Sequence, residues 1–223
     1  SAPIPVSSNG FEPLPIRPRP LACELLSCWI VRLAYAQGQK VETLCVRLFG
    51  RGHAIWSRDV DTHPPDRIIG TLARFTGLDA KSVRQLSLED RKFELGSRNP
   101  SAAVLPWITA LGVYHRARRQ YGLAYCPICL RNAVPYHRQA WRLAFVCVCT
   151  EHGCNLHDAC HRCGEPVELH RLDRRGSGFI PGPSALRMCW NCSADLSQAP
   201  VIEASELLLK FTSQALLHLE CGY

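Results

Sequence analysis

The sequence predicts a mainly α-helical protein with small β-hairpin modules in its second half, each built around cysteine pairs. Through the first half, apolar residues recur at three- and four-residue steps, the period of amphipathic helices. Beyond residue 121, turns and closely spaced cysteines replace that pattern until one last helix. The chain has 223 residues, 47% of them hydrophobic, which is enough to bury a core. We expect an extended arm over 1–20, a helical region over 21–121, a cysteine-rich domain over 122–200 and an amphipathic helix over 201–223.

Proline shapes the beginning of the chain. The segment Phe11–Pro20 reads FEPLPIRPRP, and prolines at this density restrict φ and remove amide donors, which predicts an extended arm. From Glu24 the pattern becomes helical, and Gly38 predicts where this first helix ends. Its apolar face comprises Leu25, Leu26, Trp29, Ile30 and Leu33.

Further helices follow, separated by a loop over Arg51–Pro65 and by glycines. Asp66 and Asp79 stand where helices begin and are expected to cap them. The predicted helices are Val41–Leu48, Asp66 to Gly77, Ala80–Leu86 and Leu105–Tyr121, the last with Trp107, Ile108, Leu111 and Tyr114 facing inward. Pro106 is tolerated in the first turn of that last helix. The polar stretch Ser87–Arg98 has room for one more helical turn.

Two of these helix pairs share the spacing of a helix-turn-helix unit. Ala73, Gly77, Val83 and Leu86 supply a small residue, a turn glycine and two buried apolar positions. The earlier stretch LAYAQGQKVETLCVRL repeats part of this pattern. Each pair is either a DNA-reading unit or a folding module that only packs. In a DNA-reading unit, the groove-facing side chains of the later pair would be Lys81 and Arg84.

The cysteine spacing favours metal binding over disulfides. Thirteen cysteines are many for a chain without a secretory signal, because a reducing compartment does not sustain disulfides. Four short pairs can form two tetrahedral sites of the zinc-knuckle or zinc-ribbon kind. Gly153 and Gly164 follow the second ligand of their pairs, where a positive φ is often required. The predicted ligands are Cys126, Cys129, Cys149 and His152 for the first site, and Cys160, Cys163, Cys189 and Cys192 for the second.

Two complete ligand sets argue against catalysis. Four protein ligands around each Zn²⁺ leave no coordination position for a reacting water, so we expect two structural zinc ions and no catalytic residue. Cys154 and His157 form another short pair, but no glycine follows it, and Leu156 between them resembles core. The remaining cysteines are expected to be small core residues.

Between the sites, Trp141–Cys149 is predicted to be a strand, and Arg174–Ser184 a loop. The closing helix begins at Ser205 and carries Leu207, Leu208, Phe211, Leu216 and Leu219.

Positive charge is concentrated in one stretch. The net charge is +7, and no acidic residue occurs from Leu95 to Thr150. Such a stretch fits contacts with phosphate or with an acidic protein surface, although charge runs are also common on plain solvated surfaces. Its arginines are Arg98, Arg116, Arg118, Arg119, Arg131, Arg138 and Arg142.

Several motifs in this order resemble the TniQ/TnsD family of transposon target-selection proteins. They are PLPIRPRP, SCWIVRLAYAQG, RFTGLDAKSVRQLSL, AYCPICL, VPYHRQAWRLAFVCVCTEHGCNL and DACHRCGEPV. The resemblance implies a helix-turn-helix region, a zinc-bearing domain and a non-enzymatic adaptor role. Such an adaptor links a DNA site, or a CRISPR effector with its guide RNA, to an AAA+ ATPase regulator of the TnsC/TniB type and so indirectly to the transposase.

The site-reading members of that family carry a long additional C-terminal region, whereas this sequence stops at Tyr223. It therefore corresponds either to a short adaptor or to a fragment. With no apolar run of membrane-spanning length, a cytoplasmic bacterial protein is expected. The rival interpretation is a zinc-stabilised, sequence-specific DNA-binding regulator that acts alone. The target site, the effector and the oligomeric state are open at this point.

Overall fold

A computed structural model describes residues 12–97, 105–111, 122–174 and 181–219 of the chain. Within these ranges helices dominate, and the sheet is one short antiparallel ribbon, as the sequence predicts. The ribbon pairs β1 (Val148–Cys149) with β2 (Cys154–Asn155). The α-helices are α1 (Leu26–Ala36), α2 (Val41–Phe49), α3 (Asp66–Thr76), α4 (Ala80–Arg84), α5 (Glu89–Glu94) and α6 (Glu206–His218).

Helix α1 is buried around almost its whole circumference. Every residue from Leu26 to Tyr35 is buried, including Arg32. The guanidinium of Arg32 forms an ion pair with Glu24, whose side chain is also buried. The sequence predicts only one apolar face for this helix. Apolar periodicity counts apolar residues alone and therefore misses polar residues that are buried with a partner. The helix is therefore central to the fold rather than packed on its surface.

Tight glycine turns join α1 to α2 and α3 to α4. Gly38 and Gly77 both have positive φ values, of 62° and 76°, which residues with a Cβ adopt only with strain. The Asp79 side chain accepts the Ser82 amide at 2.8 Å and so caps α4 as expected. Val83 is fully buried, as the helix-turn-helix spacing predicts.

Several predicted helix limits differ from the structure, and the starts or ends of α3 and α4 have clear physical reasons. Helix α3 is preceded by Pro65, so Asp66 is the first helical residue rather than the cap. Helix α4 ends at Arg84 instead of Leu86. The carbonyl of Leu86 accepts the Leu26 amide at 2.9 Å, which ties the chain to the start of α1 and ends the helix there.

The described part of the arm lies across the helices. The Leu14 amide donates to the Phe75 carbonyl at 2.9 Å, and the Leu14 side chain is buried. The indole of Trp29 donates to the Pro18 carbonyl at 2.9 Å. Residues 12–20 contain no helix or strand, as the proline pattern predicts. The arm is therefore docked along the helical region.

The predicted helix over 105–121 is wrong for its described part. Residues 105–111 form turns and a bridge instead. The Thr109 amide donates to the Arg142 carbonyl at 2.8 Å, and the Ala144 amide donates to the Trp107 carbonyl at 2.8 Å. Trp107 has a φ of 62° and is 60% exposed, so it does not face inward. Pairing with residues 142–144 replaces helical hydrogen bonding in this segment. Tyr114 lies outside the described residues.

The predicted strand over Trp141–Cys149 forms only at its end. Residues Gln139–Arg142 are a short 3-10 helix, and β1 contains only the last two residues of the predicted span. Trp141, Val146 and Val148 are buried although only Val148 lies in a strand. A composition typical of strands therefore does not distinguish a strand from buried turns and 3-10 helix. The remainder of the cysteine-rich half consists mainly of turns and further 3-10 helices.

Helix α6 begins as predicted but buries a narrow face. The Ser205 hydroxyl accepts the Leu208 amide at 3.3 Å, and Thr212 and Leu216 are buried. Leu207 is 78% exposed and Phe211 53% exposed, so most of the predicted apolar face is open to solvent. No helix of the described residues is both long and apolar enough to cross a membrane.

The helical and cysteine-rich halves share one continuous hydrophobic core. The Leu25 amide donates to the His137 carbonyl at 2.9 Å. The buried carboxylate of Asp173 accepts the Val41 amide at 2.6 Å, at the start of α2. Both contacts cross the expected boundary at residue 121. The division into separate domains stays a prediction, but the two halves pack as one body.

A buried ionic cluster fastens the loop before α3 to the cysteine-rich half. The guanidinium of Arg142, 1% exposed, lies 2.6 Å from Asp59 Oδ2 and 3.2 Å from Asp61 Oδ2. It also donates to the Thr109 carbonyl at 2.9 Å. Burial and the neighbouring Asp59 charge together raise the pKa of Asp61 to about 6, against the opposing effect of Arg142. The Asp61 carboxylate also accepts the amide and hydroxyl of Ser27 in α1.

We expect Arg142→Met to lower the free energy of unfolding by about 3–5 kcal/mol, because it leaves buried carboxylates without their counter-charge. Adding Asp59→Asn and Asp61→Asn should restore part of that loss, since neutral amides need no counter-charge. Denaturant unfolding in zinc-containing buffer measures both effects. Arg131→Met, at an exposed arginine, is the matched control. A loss of under about 1 kcal/mol for Arg142→Met would contradict the buried-cluster interpretation.

His137 predicts an acid-sensitive stability. Burial lowers its pKa to about 4, against about 6.5 in an unfolded chain. Because the folded-state pKa is depressed, the stability that the neutral ring contributes is complete above about pH 6.5 and is lost as the pH falls towards 4. Linkage predicts a loss of about 1 kcal/mol by about pH 5.5.

The check is the pH dependence of the unfolding free energy for the wild type minus that for His137→Asn, both with saturating zinc. The subtraction removes contributions from the other titrating groups. Equal slopes for the two proteins would show that His137 is not the group responsible.

Candidate metal centres

Four ligand atoms converge at the first predicted metal site, which we call site A: Cys126, Cys129, Cys149 and His152. All lie within 4.8 Å of one another. The Cys129 and Cys149 sulfurs are 3.7 Å apart, and His152 Nδ1 lies 3.2 Å from the Cys129 sulfur and 3.5 Å from that of Cys149. The imidazole therefore presents Nδ1 to the centre. Three of the four residues are buried.

Local backbone structure positions these ligands. The Cys129 amide donates to the Cys126 sulfur at 3.4 Å, an arrangement that fixes the first turn. The second pair lies on the turn between β1 and β2, where the Gly153 amide donates to the Cys149 carbonyl at 2.8 Å. Gly153 has a φ of 63°, in agreement with the glycine expected at this position.

The second group, site B, comprises Cys160, Cys163, Cys189 and Cys192. The sulfur of Cys160 lies 3.6 Å from that of Cys192, and the sulfur of Cys163 lies 3.6 Å from that of Cys189. The two halves of site B thus interleave. All four ligands are sulfurs, which distinguishes site B chemically from site A.

The two turns of site B follow one backbone plan. The Gly164 amide donates to the Cys160 carbonyl at 2.9 Å, and the Ser193 amide donates to the Cys189 carbonyl at 3.0 Å. Gly164 has a φ of 72°, and Ser193 has a φ of 58° in the equivalent place. A search for glycine alone misses the second turn, because the position demands a positive φ and serine meets it with some strain.

The donor geometry fits a tetrahedral thiolate-binding metal. A disulfide would need sulfurs at about 2.05 Å, far shorter than the 3.6–3.7 Å separations here. Zinc–sulfur bonds of about 2.3 Å in a tetrahedron place sulfurs about 3.8 Å apart. Soft thiolate ligands in this geometry are typical of zinc. Both sites are therefore suited to a zinc ion, with four protein ligands each.

Clustering alters the acidity of the thiols in site A. Hydrogen bonds from the thiols of Cys129 and Cys149 lower the pKa of the Cys126 thiol. Hydrogen bonding to Cys126 and Cys149 raises the pKa of Cys129 correspondingly. A thiolate is thus favoured at Cys126, which suits the binding of a cation.

Cys154 and His157 lie outside both groups. Cys154 is 1% exposed and in the core, as expected for a non-ligand cysteine, whereas Cys147 is exposed, so the expected core position is wrong for Cys147. The His157 ring stacks on Tyr125 with centroids 5.3 Å apart, and its Nε2 lies 2.8 Å from the Pro200 carbonyl oxygen. This histidine is therefore engaged in packing.

The predicted contact residues of the helix-turn-helix region and of site A are only partly exposed. Lys81 on α4 is exposed. Arg84 forms ion pairs with Asp66 and Glu89, so its charge is locally compensated. Arg131 is exposed, and its Nε donates to the Ser197 carbonyl at 3.2 Å. The predicted contacts Arg116, Arg118 and Arg119, together with Arg98, lie outside the described residues.

Arg138 and Arg142 do not belong to an exposed basic surface, and that expectation is wrong. Arg142 is enclosed by its aspartates, as described above. Arg138 is 8% exposed, pairs with Glu151 at 2.6 Å, and lies over the rings of Tyr136 and Trp141. The acidic partners come from outside the acid-free stretch or just beyond its end. A charge count confined to that stretch therefore overstates the positive surface.

A comparison with curated proteins gives no match. The comparison with family models gives a match to TniQ over residues 15–156. This span contains residues 15–20 of the arm, helices α1 to α5 and all four ligands of site A. The match covers more than half of the chain and agrees with the motifs in its sequence. The chain therefore belongs to the TniQ family of transposition-associated target-selection proteins.

Proposed function

We propose that this chain is a non-enzymatic adaptor in the selection of DNA transposition targets. It links a DNA-targeting element, either a DNA site or a CRISPR effector with its guide RNA, to an AAA+ ATPase regulator of the TnsC/TniB type. Through that regulator it acts indirectly on the transposase. The proposal places it in the bacterial cytoplasm. The TniQ match over residues 15–156 is the observation that carries this proposal.

Structural zinc at sites A and B supports an adaptor rather than an enzyme. Each site offers four protein ligands, so a bound Zn²⁺ would have no position for water or substrate. At each site, a bound zinc ion would hold together the two turns that carry its ligands. Three thiolates and an imidazole would hold it at site A, and four thiolates at site B.

Exposed cations on rigid supports are the proposed contact points. Lys81 projects from α4, and Arg131 follows the first ligand pair of site A. Both are held by structured backbone, which favours a defined contact with an acidic protein surface or phosphate. Arg116, Arg118 and Arg119 stay in the proposal on the grounds of sequence alone.

A second candidate function is a DNA-binding regulator that acts without partners. The helix-turn-helix arrangement of α3 and α4, with exposed Lys81, favours it. The two functions differ in a simple observable: a lone regulator protects a specific DNA site by itself, whereas an adaptor needs the targeting element or the ATPase.

Elemental analysis tests the zinc proposal. We expect two zinc ions per wild-type chain, and one in Cys160→Ser, because site B loses a ligand from its four. Structural zinc contributes about 10 kcal/mol to the folding of small modules, so the melting temperature should also fall markedly. Cys147→Ser changes an exposed cysteine outside both groups and should retain two. One zinc ion or none in the wild-type chain would overturn the proposal.

A capture assay tests bridging. The DNA-targeting complex should be retained on immobilised ATP-bound AAA+ regulator only when the chain is present. Lys81→Glu, Arg131→Glu and the triple reversal of Arg116, Arg118 and Arg119 are compared with Arg47→Glu, an exposed arginine on α2. We expect at least one reversal to weaken capture about 10-fold, or about 1.4 kcal/mol, with the control unchanged. Capture that does not depend on the chain would exclude an adaptor.

A further inference from the structure

Cys154 brings a fourth sulfur to the edge of site A, whose own ligand atoms are three sulfurs and one imidazole nitrogen. Its sulfur lies 3.5 Å from that of Cys126. It is not among the four residues whose ligand atoms lie within 4.8 Å of one another. The side chain is 1% exposed, so no water reaches it easily. A fully buried thiol in contact with a candidate metal ligand, but outside the ligand set, calls for a role of its own.

The β-ribbon fixes this position. Cys154 in β2 is paired in register with Cys149 in β1, and paired residues of an antiparallel ribbon project to the same side. Cys149 is a predicted ligand, so the register that aims it at site A also aims Cys154 there. The tight turn at Gly153 holds the two strands in that register.

The available protons determine which sulfur donates in the contact between Cys154 and Cys126. A cysteine that ligates zinc is a thiolate and has no proton to donate. The Cys126 sulfur already accepts the Cys129 amide at 3.4 Å. The only proton available between Cys126 and Cys154 is then that of the Cys154 thiol. Charge-assisted hydrogen bonds are stronger than neutral ones, and a donor near a ligand orients it and spreads its charge.

We propose that Cys154 is a positioning residue for site A, whose S–H donates to the Cys126 thiolate and retains the metal without binding it. This inference rests on the proposed zinc at site A. Three thiolates and a neutral imidazole around Zn²⁺ carry a net negative charge, and the site is largely buried. A thiol donor lowers the cost of burying that charge.

The test compares Cys154→Val, Cys154→Ala and Cys154→Ser in the full chain. Valine fills the space without a donor, alanine leaves it empty, and serine keeps a donor. The first readout is transfer of zinc to a chromophoric chelator. The second is ¹¹³Cd NMR of cadmium-loaded protein, which resolves the two sites because their ligand sets differ. Cys147→Ser, at an exposed cysteine, is the control.

All variants should retain two metal ions. Valine and alanine should release the site A metal about 10-fold faster, within the range found for lost outer hydrogen bonds, and should shift its cadmium resonance. Serine should stay close to the wild type. The site B resonance should not move in any variant, because site B does not contact Cys154.

Three outcomes would overturn the assignment. Valine and alanine variants with wild-type release would show that the contact has no effect. Serine behaving like valine would show that the role is not proton donation. Loss of one metal from the valine variant would make Cys154 a ligand instead. A wild-type chain without metal at site A would instead defeat the zinc proposal itself, and this inference with it. Finding two metal ions in the wild-type chain therefore distinguishes a failure of the Cys154 inference from a failure of the zinc proposal.

Discussion

Helix α1 is buried on every side, so its packing partners must come from both halves of the chain. The rest of the structure depends on this requirement. The start of α1 receives a backbone contact from His137, its length packs on the 3-10 helix Leu169–Arg171, and its arginine is neutralised by Glu24. The turns that carry the metal ligands are thereby attached to the same core as the helices. The candidate metal sites and the helix-turn-helix units therefore pack around one shared core.

The electrostatic arrangement follows from the same packing. Two arginines of the acid-free stretch turn inward, Arg142 to the aspartates before α3 and Arg138 to Glu151 beside site A. The ion pairs of these two arginines connect loops within the protein, so their charges are not available at the surface. Of the predicted contact residues that the structure describes, Lys81 on α4 and Arg131 near site A are exposed.

Local rules predict much of this structure, and long-range pairing accounts for the misses. Gly38, Gly77 and Gly153 were readable because a positive φ selects glycine, and the ligand groups were readable because knuckle spacing is short. The prediction of a helix at Trp107 is wrong because local periodicity does not reveal the backbone hydrogen bonds between residues 107–109 and residues 142–144. Arg142 was misplaced on the surface because its partners precede it by some eighty positions in the sequence. The TniQ resemblance did not depend on these details and is confirmed by the family match.

The burial of α1 also has a consequence for the order of events during synthesis. The helix leaves the ribosome well before residues 137–143 and 169–171, which later cover it. Until they arrive, the parts of α1 that they cover are open to water, and folding must wait for contacts between distant parts of the chain, which are slow to form. Nascent chains with such exposed apolar surface are prone to aggregation.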